Sequence, residues 1–114
     1  MILLEDLKLA DNRLKCLPKN IGNLKNLENL DLYYNRLKSL PTKFCELDNL
    51  EQLNLYANKL KSVPKALKSL KKIEFISLDG NDIIKEQIEI LKNELPNCEV
   101  TFERKVLIIH RVSF

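Results

Sequence analysis

Apolar residues return along this chain at a fixed interval of 23 positions. Set out in rows of that length from Leu4, the first three rows read LEDLKLADNRLKCLPKNIGNLKN, LENLDLYYNRLKSLPTKFCELDN and LEQLNLYANKLKSVPKALKSLKK. Columns 1, 4, 6, 11, 14, 18 and 21 are apolar in every row, column 9 is always asparagine and column 15 always proline. A fourth row opens IEFISLDGNDI at Ile73 and then departs from the pattern. Alternation of period two puts columns 4 and 6 on one face of a short strand and columns 3, 5 and 7 on the other. One strand per row, stacked row on row, predicts a parallel sheet with its leucines facing a continuous interior. No row can bury that face alone, so each depends on its neighbours. Column 9 places Asn12, Asn35, Asn58 and Asn81 where the strand turns away. A buried amide there has two donors and an acceptor for loop backbone groups that no strand reaches. Pro18, Pro41 and Pro64 open the return segment on the convex side, where no ladder N–H is needed.

The two ends break the pattern differently. Ile84, Ile88, Leu91 and Leu95 recur at helical spacing, with Asp82 as the expected N-cap and Pro96 as the stop. Leu95, Cys98 and Val100 then fall at columns 1, 4 and 6 of a fifth row, so LPNCEVTF reads as a closing strand. Met1, Ile2 and Leu3 lead straight into the first row, and the strand around Asp6 to Leu9 is expected to be an open sheet edge. The expected layout is a repeat domain over 1–102, with repeats 4–26, 27–49, 50–72 and 73–94 and a closing strand 95–102, followed by a tail over 103–114. That tail, with its KVLIIHRVSF segment, has three readings: an edge strand on its own sheet, a strand added to a second molecule's open edge, or no part in the fold.

The pattern LxxLxLxxNxLxxLPxxIxxLxxL resembles the leucine-rich repeat of the 23-residue kind, from Leu4 to about Phe102. It is similar to the repeats of intracellular Ras-group scaffolds and of bacterial proteins, spirochaete ones included. The resemblance implies an α/β solenoid: a curved parallel sheet on the concave face, an irregular or helical convex side, and a helix-plus-strand cap at the C-terminal end. It also implies a non-catalytic protein-protein interaction module. It is highly specific for fold and poorly specific for the partner.

Composition narrows the chemistry further. No apolar run exceeds the four residues of Val106 to Ile109, far short of the ~20 residues a membrane helix needs. Glu5 and Asp6 follow the first apolar residues at once, so no secretory signal is visible and a cytoplasmic location is expected, with export by another route as the alternative. A net charge of +3 is too mild to imply nucleic acid. The only histidine, His110, lies in the tail, and with just Gly22 and Gly80 there is no phosphate-cradling loop. No catalytic residue, metal site or cofactor is therefore expected. Cys98 occupies a leucine column and should be core, and Cys16 and Cys45 stand in different columns, so free thiols are expected.

Candidate function lies on the concave columns 3, 5, 7 and 8. All three tyrosines of the chain, Tyr33, Tyr34 and Tyr56, stand there and, with Phe75, are the expected anchors for an unidentified protein. Asn29, Asp31, Gln52, Asn54, Ser77 and Asp79 would supply polar contacts. Two charge ladders flank them. Glu5, Glu28, Glu51 and Glu74 stack in column 2, with Lys25 and Lys71 near enough in sequence to offset their repulsion. Arg13, Arg36 and Lys59 stack in column 10, and Lys15, Lys38 and Lys61 in column 12, a basic rim able to attract an acidic protein, a phosphorylated loop or a lipid surface. Row three holds six cations and one anion, whereas residues 73–102 hold two cations and seven anions. That contrast suits head-to-tail self-association, so a homodimer built on the open edge and the tail is the alternative function.

Overall fold

A computed structural model describes residues 3–103 of the chain. Five three-residue strands, β1 (Asp6–Lys8), β2 (Asn29–Asp31), β3 (Gln52–Asn54), β4 (Phe75–Ser77) and β5 (Glu99–Thr101), pair in parallel and in chain order. Leu7, Leu30, Leu53 and Ile76 stand side by side across the first four strands, so column lies upon column. The ladder continues past each strand: the N–H groups of Leu9, Leu32 and Leu55 donate to Asp31, Asn54 and Ser77 carbonyls at 2.8–2.9 Å. The resemblance to a leucine-rich-repeat solenoid thus holds at the level of strand register.

Stacking produces one core. Leu27, Leu32, Leu37, Leu50, Leu53, Leu55, Leu60, Ile76, Leu78 and Ile83 are wholly buried, and Leu30 nearly so. Each such side chain contributes roughly 1.5–3 kcal/mol relative to exposure. On the convex side three single turns of 3-10 helix, Lys19–Asn23, Thr42–Glu46 and Lys65–Ser69, follow the repeat prolines. The carbonyls of Pro18, Pro41 and Pro64 accept from the N–H groups of Ile21, Phe44 and Leu67 at 3.0–3.2 Å. Proline suits this place because its φ, −67°, −65° and −59° in turn, already fits the bend. The first two turns approach so closely that a Cβ on Gly22 would lie 2.4 Å from the Lys43 carbonyl oxygen.

The asparagine ladder is present on three of its four rungs. Asn35 donates to Leu9 and Leu32 carbonyls at 2.8 and 2.9 Å and accepts from the N–H of Leu14 at 2.9 Å. Asn58 and Asn81 repeat the arrangement one and two rows on, accepting from Leu37 and Leu60 at 3.0 Å. Asn12 does not. It is exposed, and its amide reaches only its own turn, at Ala10, because no described row lies beneath it.

The C-terminal end corrects three expectations. The helix α1 runs Lys85–Glu94 and its N-cap is Ile84, which makes no side-chain cap. Asp82 stands too early: its N–H is held by the Leu60 carbonyl at 3.0 Å, and Ile83 behind it must still enter the core, so the repeat persists two residues further. Ile84 is consequently exposed, leaving Ile88, Leu91 and Leu95 as the inward face. In β5, Val100 pairs with Ile76 and therefore fills column 4 rather than column 6. Phe102 takes the next inward place, packed against the core, and Cys98 is only half-buried ahead of the strand. A slip of two keeps the same faces in and out, which is why the sequence pattern tolerated either register. The tail beyond Glu103, with His110 and the expected edge-strand pairing, lies outside the described residues.

Candidate functional site

Each repeat leaves its strand through a sharp turn whose geometry decides where the tyrosines point. The Oδ1 atoms of Asp31 and Asn54 accept from the N–H groups of Tyr33 and Tyr56, at 3.2 and 2.9 Å, closing the turn at column 7. Column 8 is then left-handed in every row: Asp11 at φ 58°, Tyr34 at 56°, Ala57 at 58° and Gly80 at 74°. Only glycine enters that region without cost, about 1–2 kcal/mol for other residues. A tyrosine at 34 therefore sits against local backbone preference, presenting its ring to solvent.

The three rings meet. Tyr33 and Tyr56 stack at 5.9 Å between centroids with planes 13° apart, and Tyr34 tilts against both at 4.7 and 5.7 Å. Tyr34 is 51% exposed and Tyr56 38%. Such contacts stiffen a surface aromatic cluster and lower the entropy lost when a partner covers it. Beside the cluster lies a hollow of about 310 Å³ lined by Tyr34, Ala57, Gly80, Arg13, Arg36, Lys59 and Asp11, together with the buried Asn35 and Asn58.

Phe75 belongs elsewhere. It lines a second hollow, of about 260 Å³, over the face of the strands themselves with Asp6, Lys8, Asn29, Asp31, Gln52 and Asn54. Asn29 donates to the Asp6 carboxylate there. Ser77 and Asp79 join neither group: Ser77 is 7% exposed, and its hydroxyl and that of Thr101 both donate to Asp79 at 2.9 and 2.8 Å. They tie β4 to β5. The concave residues thus lie in three settings along one face: an aromatic cluster at the turn, a mixed polar hollow over the strands, and a clasp between β4 and β5.

The sequence pattern of the family described as a leucine-rich repeat region matches residues 1–105. The chain belongs to the leucine-rich-repeat family. It is also similar to the structure of a leucine-rich-repeat protein from Leptospira interrogans, 39% identical with a TM-score of 0.82. The match takes in 87% of this chain and 25% of that one, so this chain spans a quarter of the length of that protein. No curated protein matches the chain.

Within this leucine-rich-repeat frame the electrostatics are lopsided. The carboxyl of Glu28 is pushed up from its ordinary range, chiefly by Glu5 stacked beneath it, then by partial burial, Glu51 and Asp6, with Lys72 opposing. The expected relief from Lys25 and Lys71 goes elsewhere: Lys25 pairs with Glu46 and Lys71 with Asp48, both at 3.7 Å. Lys72 also donates to Asn49, whose amide reaches back to the Lys25 carbonyl at 2.6 Å. This second asparagine contact was missed because column 23 reads Asn26, Asn49, Lys72 and shows no fixed residue. Burial, then Glu99, pushes the Cys98 thiol up to about 11, so it stays protonated at neutral pH. Among the described residues no cluster of His, Cys, Asp and Glu could hold a metal ion, and no helix is long and apolar enough to cross a membrane.

Proposed function

We propose that this leucine-rich-repeat chain is a non-catalytic module that binds a protein partner through its concave sheet, with Tyr33, Tyr34 and Tyr56 as anchors. The observation that carries this reading is the aromatic cluster itself: three rings in mutual contact, two of them exposed, one on a left-handed residue. Large aromatic area with a hydroxyl at its rim is the commonest composition of an interface hot spot. Asn29, Asp31, Gln52, Asn54 and Phe75, on the strand face that leads up to the cluster, form the adjoining contact area. Placing a photoreactive benzoylphenylalanine at position 34, and separately at Lys19 on the convex side, tests this in cells expressing the chain. A partner crosslinked at 34 and absent at 19 is the expected result; the same proteins at both positions would overturn it.

A second reading rests on the first row. Leu4 is 39% exposed, and Leu7, Leu9 and Leu14 only half-buried, while Leu27, Leu30, Leu32 and Leu37 one row on are covered; Leu3 ahead of them is 68% exposed. Pairing of β1 with a second copy would bury that edge. Molar mass by light scattering across concentration, with and without residues 104–114, decides it: a dimer supports self-association and a monomer in both forms removes it.

A further inference from the structure

The two rims of the concave face have opposite sign, and the tyrosines stand at one of them. Glu5, Glu28, Glu51 and Glu74 run along column 2, where the strands begin; Arg13, Arg36 and Lys59 run along column 10, just past the turn that carries Tyr34. Column 2 and column 7 are separated by five residues of nearly extended chain, roughly 17 Å at ~3.3 Å each. That exceeds twice the ~8 Å screening length at physiological salt, so the glutamate ladder contributes little at the aromatic cluster. The cations do contribute. They line the same hollow as Tyr34, with Asp11 the one acid among the lining residues. The ion pairs among the described residues, Lys25 and Lys43 with Glu46 and Lys71 with Asp48, use none of these cations.

Size falls along column 8 in the direction that opens this hollow. After the Tyr34 ring come Ala57 and Gly80, and a Cβ on Gly80 would already lie 3.3 Å from the Tyr56 ring. The result is a recess with an aromatic wall, a wall of stacked cations and a small-residue floor, large enough for one or two side chains. We infer that this recess takes the acidic side chains of an extended peptide segment of the partner, lying along the repeat axis over columns 8 to 10, with its apolar residues on the tyrosines. The inference rests on the protein-binding reading and adds the chemistry of the partner. A recess with a small-residue floor between rings and cations favours inserted side chains over a flat sheet of lipid headgroups.

The test selects random twelve-residue displayed peptides on the immobilised full chain. The expected result is enrichment of sequences combining Asp or Glu with an aromatic or aliphatic residue. Their affinity should fall at least tenfold in the Arg13→Gln, Arg36→Gln, Lys59→Gln variant and on raising salt from about 0.05 to 0.2 M. A Lys19→Gln, Lys65→Gln, Lys68→Gln variant, with the same charge loss on the exposed convex turns, should bind normally; equal loss in both variants would mean bulk charge alone and overturn the inference. Enriched peptides without acidic residues, lost on Tyr34→Ala and Tyr56→Ala, would overturn it while leaving the protein-binding reading intact. No enrichment at all, or binding only to vesicles containing anionic phospholipid, would overturn both. All six cationic positions are exposed, and unchanged melting of each variant confirms that folding is not being read.

Discussion

Asn58 donates to the carbonyls of Leu32 and Leu55 at 2.9 and 3.2 Å and accepts from the Leu37 N–H, so one side chain serves three backbone groups in two rows. Asn58→Ala leaves those groups buried and unpaired, and we expect a loss of about 2–3 kcal/mol in urea unfolding. Asn12→Ala, at the exposed rung, should cost less than about 0.5 kcal/mol. Repetition of asparagine every 23 residues made this role legible, yet repetition also hid the difference between rungs, since exposure depends on a neighbouring row and not on the residue. Gly22 shows the converse. Its column holds Cys45 and Lys68 in the next rows, so nothing in the pattern asks for glycine. Only the 2.4 Å approach of the Lys43 carbonyl does, and Gly22→Ala should destabilise by about 1–3 kcal/mol. Charge acts at this scale too. Because the folded carboxyl of Glu28 holds its proton more tightly than the unfolded one, ionising it costs stability as pH rises through the raised value. Glu28→Gln should therefore stabilise at pH 7, and urea unfolding at pH 3, where Glu28 is protonated in both states, should show the gain gone.

Strands and the start of each return segment were legible because each is fixed within one row by an alternation or a proline, whereas the 3-10 turns that follow the prolines were not foreseen. The helix start was not, because it is set by where the core still needs Ile83 and by the Leu60 carbonyl that holds the Asp82 N–H. The outcome is an α1 with no side chain capping its first turn. Ile84→Ser supplies an oxygen at the N-cap and removes an exposed isoleucine, and thermal unfolding should show a gain of about 1 kcal/mol. The closing strand was misplaced by two for a related reason. Leu95, Cys98 and Val100 fit columns 1, 4 and 6 by composition, but the helix that replaces the convex segment sets the register, and β5 pairs through Val100 and Ile76. A cap is thus readable as an element while its register is not.

Across the whole molecule, family and architecture followed from one period, whereas the contacts among the concave side chains did not follow from their columns. Columns 3, 5, 7 and 8 all lie on the concave face, so the sequence put Phe75, Ser77 and Asp79 with the tyrosines. Turn geometry, which no alternation encodes, sets Tyr34 at the hollow beside the cations, Phe75 over the strand face, and Ser77 and Asp79 in a clasp with Thr101. The left-handed column and the ring contacts of Tyr33, Tyr34 and Tyr56 are what single out the end of the strands beside Arg13, Arg36 and Lys59. The central claim is that this cluster binds protein. Its most direct measurement is the affinity of the protein crosslinked at position 34, by calorimetry, for the native chain and for the Tyr34→Ala, Tyr56→Ala variant. Loss of two hot-spot rings should weaken binding by about 30-fold or more with melting little changed. Equal affinity for the two chains would contradict the account and place the binding surface elsewhere on the solenoid.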